Sequence, residues 1–581
     1  MTRRYSWLGA LILLLSLVPA TLAAPEAPES PTTTAPPIAV ESGEYVVLYA
    51  AGAALTDARA AISRIGGLIE RENTAIGLAT VRTTNIGFLR AIGHEPALAG
   101  ATVNATIGRS FTGNATDRRA TERAQVERAA SLGLAAPTLG PAAPGTEPLA
   151  SLQWDMRALG ATADGSYATQ PGDRRVLVGI IDTGIDGSHP DIAPNFNRGL
   201  SRNFTTDIPL IDGPCAEEAD QSCDDPADVD EDGHGTHVAG TIAAPINGLG
   251  IAGVAPNVSL VNLRAGQDSG YFFLQPTVDA LTYAGDNGID VVNMSFFVDP
   301  WVFNCASNAA DSPEAQLEQR TIVAATQRAL TYARDRNVTL VAAAGNEHTD
   351  LGNPTTDTTS PDYPPNSTHP RTIDNGCLSM PTEGEGVIVV SATGPSGRKA
   401  YYSNYGVEQT TVAAPGGDIR DFYGTPDYQQ PRNLILAPYP EAVARAKGEL
   451  NADGTPKTPF VIRDCQGGVC AYYQYLQGTS MAAPHVTGVV ALIVSQHGRR
   501  LRDSFRNPAT IAMDPAQVEA ILTASATPTP CPAASPFVYP ALSAEYTAIC
   551  TGDTVRNGFY GAGVVNASRA VDLAYAPESL R

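Results

Sequence analysis

The chain is short of several things, and each shortage excludes something. Only 38 of its 581 residues are basic against 60 acidic ones, a formal charge of −22 with a pI near 4.7. Nucleic acid is thereby excluded as the main partner, because phosphate binding needs clustered positive charge. Lysine is nearly absent: Lys399, Lys447 and Lys457 are the three, and the sequence offers no functional account of that. Charged residues make up 17% and hydrophobic ones 43%, which excludes a wholly disordered chain and a coiled coil. Eight cysteines are too few at this length for a small disulfide-stapled scaffold, although their number is even. No apolar run comparable to Leu8–Leu17 recurs later, so no stable membrane span is expected. The length allows up to about four domains.

What is present begins with an export pattern. In residues 1–24, Arg3 and Arg4 precede the apolar run, and Thr21-Leu22-Ala23 offers small residues before a cut after Ala23. That reads as a signal peptide, with a secreted product and no lipid anchor. Residues 25–42, rich in Pro, Thr and Ala, read as a linker. Residues 43–110 then follow a βαββαβ order. Strands are expected at Tyr45–Tyr49, Leu68–Ile69, Gly77–Val81 and Val103–Ile107, with helices at Leu55–Ile65 and Ile86–Ile92. That order suits a small ferredoxin-like α+β domain. Residues 111–148 turn to Ala and Pro and read as a cleavable linker.

Residues 149–581 carry another pattern. Apolar runs at Val176–Ile181, Val258–Leu263, Asp290–Met294, Val338–Ala344 and Val387–Ala392 alternate with helical periodicity. Uninterrupted apolar runs mark strands buried on both faces, and the alternation predicts an α/β fold with a mostly parallel sheet flanked by helices. Sites in such sheets lie beyond the carboxyl ends of the strands. Three polar groups stand there. Asp182 closes the first run, in Asp182-Thr183-Gly184. His234 lies in His234-Gly235-Thr236-His237-Val238-Ala239-Gly240, and Ser480 in Gly478-Thr479-Ser480-Met481-Ala482-Ala483-Pro484-His485. Taken singly, Asp182 and Ser480 also suit helix caps. His234 with His237 also suits a metal, though no glutamate stands between them as in zinc peptidase helices. Pro484 is expected in the first turn of a helix, with Ser480 near its N-terminus.

Together the three motifs, in the order Asp, His, Ser, resemble the signatures of the subtilisin-like serine peptidases, the subtilases, over about residues 150–575. The resemblance implies a serine endopeptidase with Ser480 as nucleophile, His234 as general base and Asp182 as its orienter. It implies Asn346, in Gly345-Asn346-Glu347, as an oxyanion donor beside the Ser480 N–H. His237 matches a structural position. Residues 43–110 resemble the family's propeptide, an intramolecular inhibitor and chaperone, so a self-processing zymogen is expected. The mature start is expected just before Leu152, and no further domain after the closing segment Tyr560–Asn566. Substrates are proteins or peptides, and a monomer is expected.

One motif departs from the family. Where substrate backbone normally meets Ser-Leu-Gly-Gly, this chain has Ser295-Phe296-Phe297-Val298. Bulky residues there narrow the space for a ligand, so a restricted or reshaped pocket around Ser295, Phe296 and Phe297 is expected. An alternative reading follows: a non-catalytic subtilase-fold protein that binds peptides in an obstructed cleft. No cofactor is expected for catalysis. Structural calcium is possible in the acid-rich insertion holding Glu217, Glu218, Asp220, Asp224, Asp225, Asp228, Asp230, Glu231 and Asp232; a solvated loop is an equal reading and no ligand set is assigned. Gly416–Gly478 and Thr527–Asn557 are further insertions. Eight cysteines allow 105 connectivities; nearest-neighbour pairing gives 215–223, 305–377, 465–470 and 531–550.

Overall fold

The computed structural model describes residues 43–104, 147–217, 221–364, 367–500, 511–572 and 574. The expected signal peptide and first linker, together with 105–146 of the region read as domain end and second linker, lie outside them. In the N-terminal domain the chain runs through β1 (Gly43–Tyr49), α1 (Leu55–Arg64), β2 (Gly67–Asn73), β3 (Leu78–Thr83), α2 (Phe88–Ile92) and β4 (Leu98–Val103). The sheet order is β2-β3-β1-β4, and every pair is antiparallel. This is the ferredoxin-like arrangement. The last strand lies earlier than Val103–Ile107, the stretch favoured by its apolar residues, because Leu98 and Ala101 are the residues that reach the core.

Alternation explains the packing. Val47, Tyr49, Ala79 and Val81 meet the domain's own helices. The opposite face, with Val46, Leu48 and Leu78, joins the core of the large domain. It docks on two helices there, α5 (Leu274–Asp286) and α6 (Pro313–Arg334). Gly100 of β4 lies so close to α6 that a Cβ would stand 2.3 Å from Thr321 Oγ1. Asn73 Nδ2 donates to Asp279 Oδ1 and Thr282 Oγ1, both at 2.8 Å, and Arg71 pairs with Asp279 at 2.7 Å. Thr102 donates to Glu318 at 2.7 Å, a contact in which burial pushes the Glu318 carboxyl up.

The large domain centres on seven parallel strands: β5 (Leu177–Ile181), β6 (Arg202–Asn203), β7 (Ser259–Arg264), β8 (Val291–Met294), β9 (Thr339–Ala343), β10 (Val387–Thr393) and β11 (Val412–Pro415). Their order is β11-β10-β9-β8-β5-β7-β6. Successive residues enter opposite cores. Val178, Ile180, Val341 and Val390 face α4 (His234–Ala243) and α7 (Thr479–His497). Leu177, Ile181, Val292 and Leu340 face α5 and α6. Burial on both sides is why these strands read as unbroken apolar runs.

Glu147, Leu149 and Leu152 are buried, and Leu149 N donates to Gly250 O at 2.8 Å, so the packing of the large domain takes in residues from 147 onward. Pro484 is the sixth residue of α7, in its second turn rather than its first. The 416–478 insertion, unassigned from sequence, forms an antiparallel sheet of β12 (Ile435–Pro438), β13 (Val461–Gln466) and β14 (Val469–Leu476). All four nearest-neighbour disulfides are present. No described helix is long and apolar enough to cross a membrane.

Candidate active site

Asp182 follows directly on β5, and His234 is the first residue of α4. The two meet at 2.7 Å, Asp182 Oδ1 to His234 Nδ1, and both side chains are almost fully buried. A carboxylate at that distance holds the imidazole in one tautomer, with Nδ1–H donating and Nε2 turned away. The helix can start this close to the strand because Gly235 has no Cβ; one there would stand 2.0 Å from Gly184 O. Asp230 fastens the two pieces together. It accepts from Gly233 N, Thr236 N and Thr236 Oγ1 at 2.6–2.9 Å, and from Thr183 Oγ1 at 3.1 Å. His237 donates from Nε2 to the carbonyls of Ile435 and Gln474 at 3.1 and 3.0 Å, and burial pushes its pKa down to about 3. It therefore ties α4 to the insertion sheet as a neutral ring.

Ser480 is the second residue of α7, where backbone N–H groups and the helix dipole favour negative charge. Asn346 stands next to this turn. Its Oδ1 accepts from Thr479 N and Thr479 Oγ1, both at 2.9 Å. That orients the amide, with its NH₂ as the donor end of a residue that lines the cleft. Pro484 has a further consequence. An N–H at position 484 would donate to the Ser480 carbonyl in a regular helix, and proline has none. Ser295 Oγ donates to that carbonyl instead, at 3.1 Å. Asn293 Nδ2 donates to Ser295 Oγ, and Thr487 Oγ1 to Asn293 Oδ1, both at 2.9 Å. Two elements are thus fastened to the Ser480 backbone by a buried polar chain that sequence reading did not find.

His234, Ser295, Phe296, Phe297, Asn346 and Ser480 line one cleft of about 750 Å³, with Asp182 behind His234. Both phenylalanines line this cleft and are held there by their packing. Phe296 stacks on Phe272 with ring centroids 4.1 Å apart, and Phe297 packs against Val302, Phe303 and Leu351. The third insertion reaches this wall through Glu545 and Tyr546.

Several carboxylates of the acid-rich insertion are taken up by protein partners. Asp225 bonds the buried Arg264 guanidinium, which also holds Asp207 at 3.1 Å and Asp268 at 2.9 Å. Those three carboxylates converge within 4.8 Å of one another, and the cation among them is the arginine. Asp228 pairs with Arg198, Asp224 accepts from Thr206 Oγ1 at 2.7 Å, and Asp232 accepts from His234 N at 3.0 Å. Glu218 and Asp220 lie outside the described residues.

A parallel α/β fold with a buried Asp–His pair and a helix-terminal serine on one cleft defines a class. A profile of the subtilase family matches residues 173–563, and the chain belongs to that family. A thermophilic serine proteinase of Bacillus sp. (strain AK1) is 29% identical over 320 residues, which cover 55% of this chain and 52% of the relative. The chain thus spans about half the length of that relative. Subtilisin Savinase of Lederbergia lenta is 27% identical over 339 residues, 58% of this chain and 83% of the relative. Among solved structures, the epidermin leader peptide processing serine protease of Staphylococcus aureus superposes with a TM-score of 0.60 at 19% identity. That match covers 92% of this chain and 99% of that one, and shares the fold.

Proposed function

We propose that the protein is a secreted serine endopeptidase, made as a self-processing zymogen. Ser480 Oγ attacks the peptide carbonyl as His234 Nε2 takes its proton. The same imidazole then protonates the departing amine, and water releases the acyl group from Ser480 by the same route in reverse. Asp182 stabilises the imidazolium. Asn346 Nδ2 and the Ser480 N–H donate to the oxyanion, and losing one such donor costs roughly 3–4 kcal/mol of barrier, a magnitude measured in subtilisin. The chemistry needs no cofactor. Residues 43–110 act as the inhibitory propeptide, and the severed bond falls within 110–148.

The observation that carries this reading is the buried 2.7 Å Asp182–His234 contact behind a cleft that Ser480 also lines. An open cleft favours it over the obstructed peptide binder. A serine-directed phosphonate should label Ser480 alone, and Ser480→Ala expressed in isolation should keep its N-terminal domain attached. Normal maturation of that variant would remove self-processing; failure of labelling would remove the enzyme.

A further inference from the structure

The Cys531–Cys550 loop carries a short turn, Ala544–Tyr546, to the wall of the cleft. Tyr546 is fixed there by two rings, with its centroid 4.4 Å from that of His348 and 5.6 Å from that of Tyr401. Its neighbour Glu545 is exposed, and its one hydrogen bond among those described is local, from Ser543 Oγ at 2.7 Å. Among the described residues, no lysine or arginine lines the cleft. Of the other acidic groups of the wall, Asp357 is neutralised by Arg371 at 2.5 Å, while Glu347 and Asp350 are tied to the protein by the amides of Asn404 at 2.6 Å and Asn353 at 3.1 Å. His348 lies close to Glu545, and burial holds its pKa below the ordinary histidine range. Glu545 therefore places negative charge on the cleft, and among the described residues it forms no ion pair. A cleft walled by protein focuses such a field.

We infer that Glu545 is a specificity-determining residue that selects an arginine or lysine at one position of the peptide substrate. The inference rests on the endopeptidase reading above. The Tyr546 ring beside it offers the cation an aromatic face. The pairing is partly desolvated and salt-sensitive.

The test uses protein expressed from the full chain and neutral peptides in which one arginine, or one glutamate, is moved a position at a time through the cleaved region. Competent enzyme is counted by phosphonate labelling of Ser480. At one position arginine should exceed glutamate about tenfold in kcat/KM. That ratio should shrink several-fold in Glu545→Gln, invert in Glu545→Arg and fall with added salt. Equal rates at every position in the unaltered protein, or an unchanged ratio in Glu545→Gln, overturn the inference while the enzyme reading stands. Absence of both labelling and hydrolysis overturns the enzyme reading, and the inference with it.

Discussion

At the scale of single residues, the side chain that repays attention is Ser295. From sequence it belongs to a substrate-binding segment; in the fold its hydroxyl supplies the bond that Pro484 denies to the Ser480 carbonyl. Ser295→Ala leaves that buried carbonyl short of a donor, a cost of about 1–3 kcal/mol. Its expected result is a kcat lowered about tenfold with KM little changed, read by steady-state kinetics on phosphonate-titrated enzyme. A rise in KM with kcat intact would assign Ser295 to substrate binding alone. The chemistry-bearing residues Asp182, His234, Asn346 and Ser480 were legible because each sits in a contiguous motif at a strand end or helix start. Thr479, Asn293 and Asp230 were not, because each acts on a partner distant in the chain. Asp230 was read as part of an acidic loop, whereas it fastens the start of α4 to Thr183.

At the scale of elements, docking and charge burial give two predictions. β4 touches α6 where Gly100 stands. Gly100→Leu should push the N-terminal domain away from α6, seen as faster hydrogen exchange in Pro313–Arg334 on a Ser480→Ala background. Unchanged exchange there would show that the contact is dispensable. Arg264 is the second case. Arg264→Met leaves Asp207, Asp225 and Asp268 facing one another in the interior, and breaking a buried ion pair this way costs about 3–5 kcal/mol. A large loss of Tm is expected, partly restored by added Ca²⁺, since three converging carboxylates without the guanidinium suit a hard cation. Calorimetry of the unaltered protein with and without Ca²⁺ supplies the comparison. A variant as stable as its parent would mean that the arginine does not carry this cluster.

At the scale of the whole molecule, the scarcity of lysine acquires one structural meaning. Lys399 is buried, donating from Nζ to Ala400 O at 3.0 Å and Ser403 O at 2.6 Å, with Tyr405, Tyr539 and Phe559 rings around it. Burial pushes its pKa down to about 7, from 10.5. The folded state therefore binds fewer protons at this group than the unfolded chain between those values. Stability from this group is present above pH 10.5 and is lost as pH falls towards 7. Lys399→Met in the Ser480→Ala background should remove a rise in Tm between pH 7 and pH 10, measured by calorimetry. An identical pH profile in the variant would rule out a titrating Lys399.

The sequence by itself determined the parallel sheet and singled out the side chains of the candidate active site. Those features are written in short stretches: an apolar run of strand length, a glycine beside a histidine, a serine opening a helix. The nearest-neighbour cysteine pairs were legible for a related reason, since three of the four close loops of 5, 8 and 19 residues. Tertiary structure alone decided which charges meet. Arg264 lies 57 residues from Asp207 and 39 from Asp225, and the His348–Tyr546 contact joins two separate loops. Nothing local distinguishes a buried carboxylate from a solvated one, because the difference is the dielectric and the partner that folding brings to it.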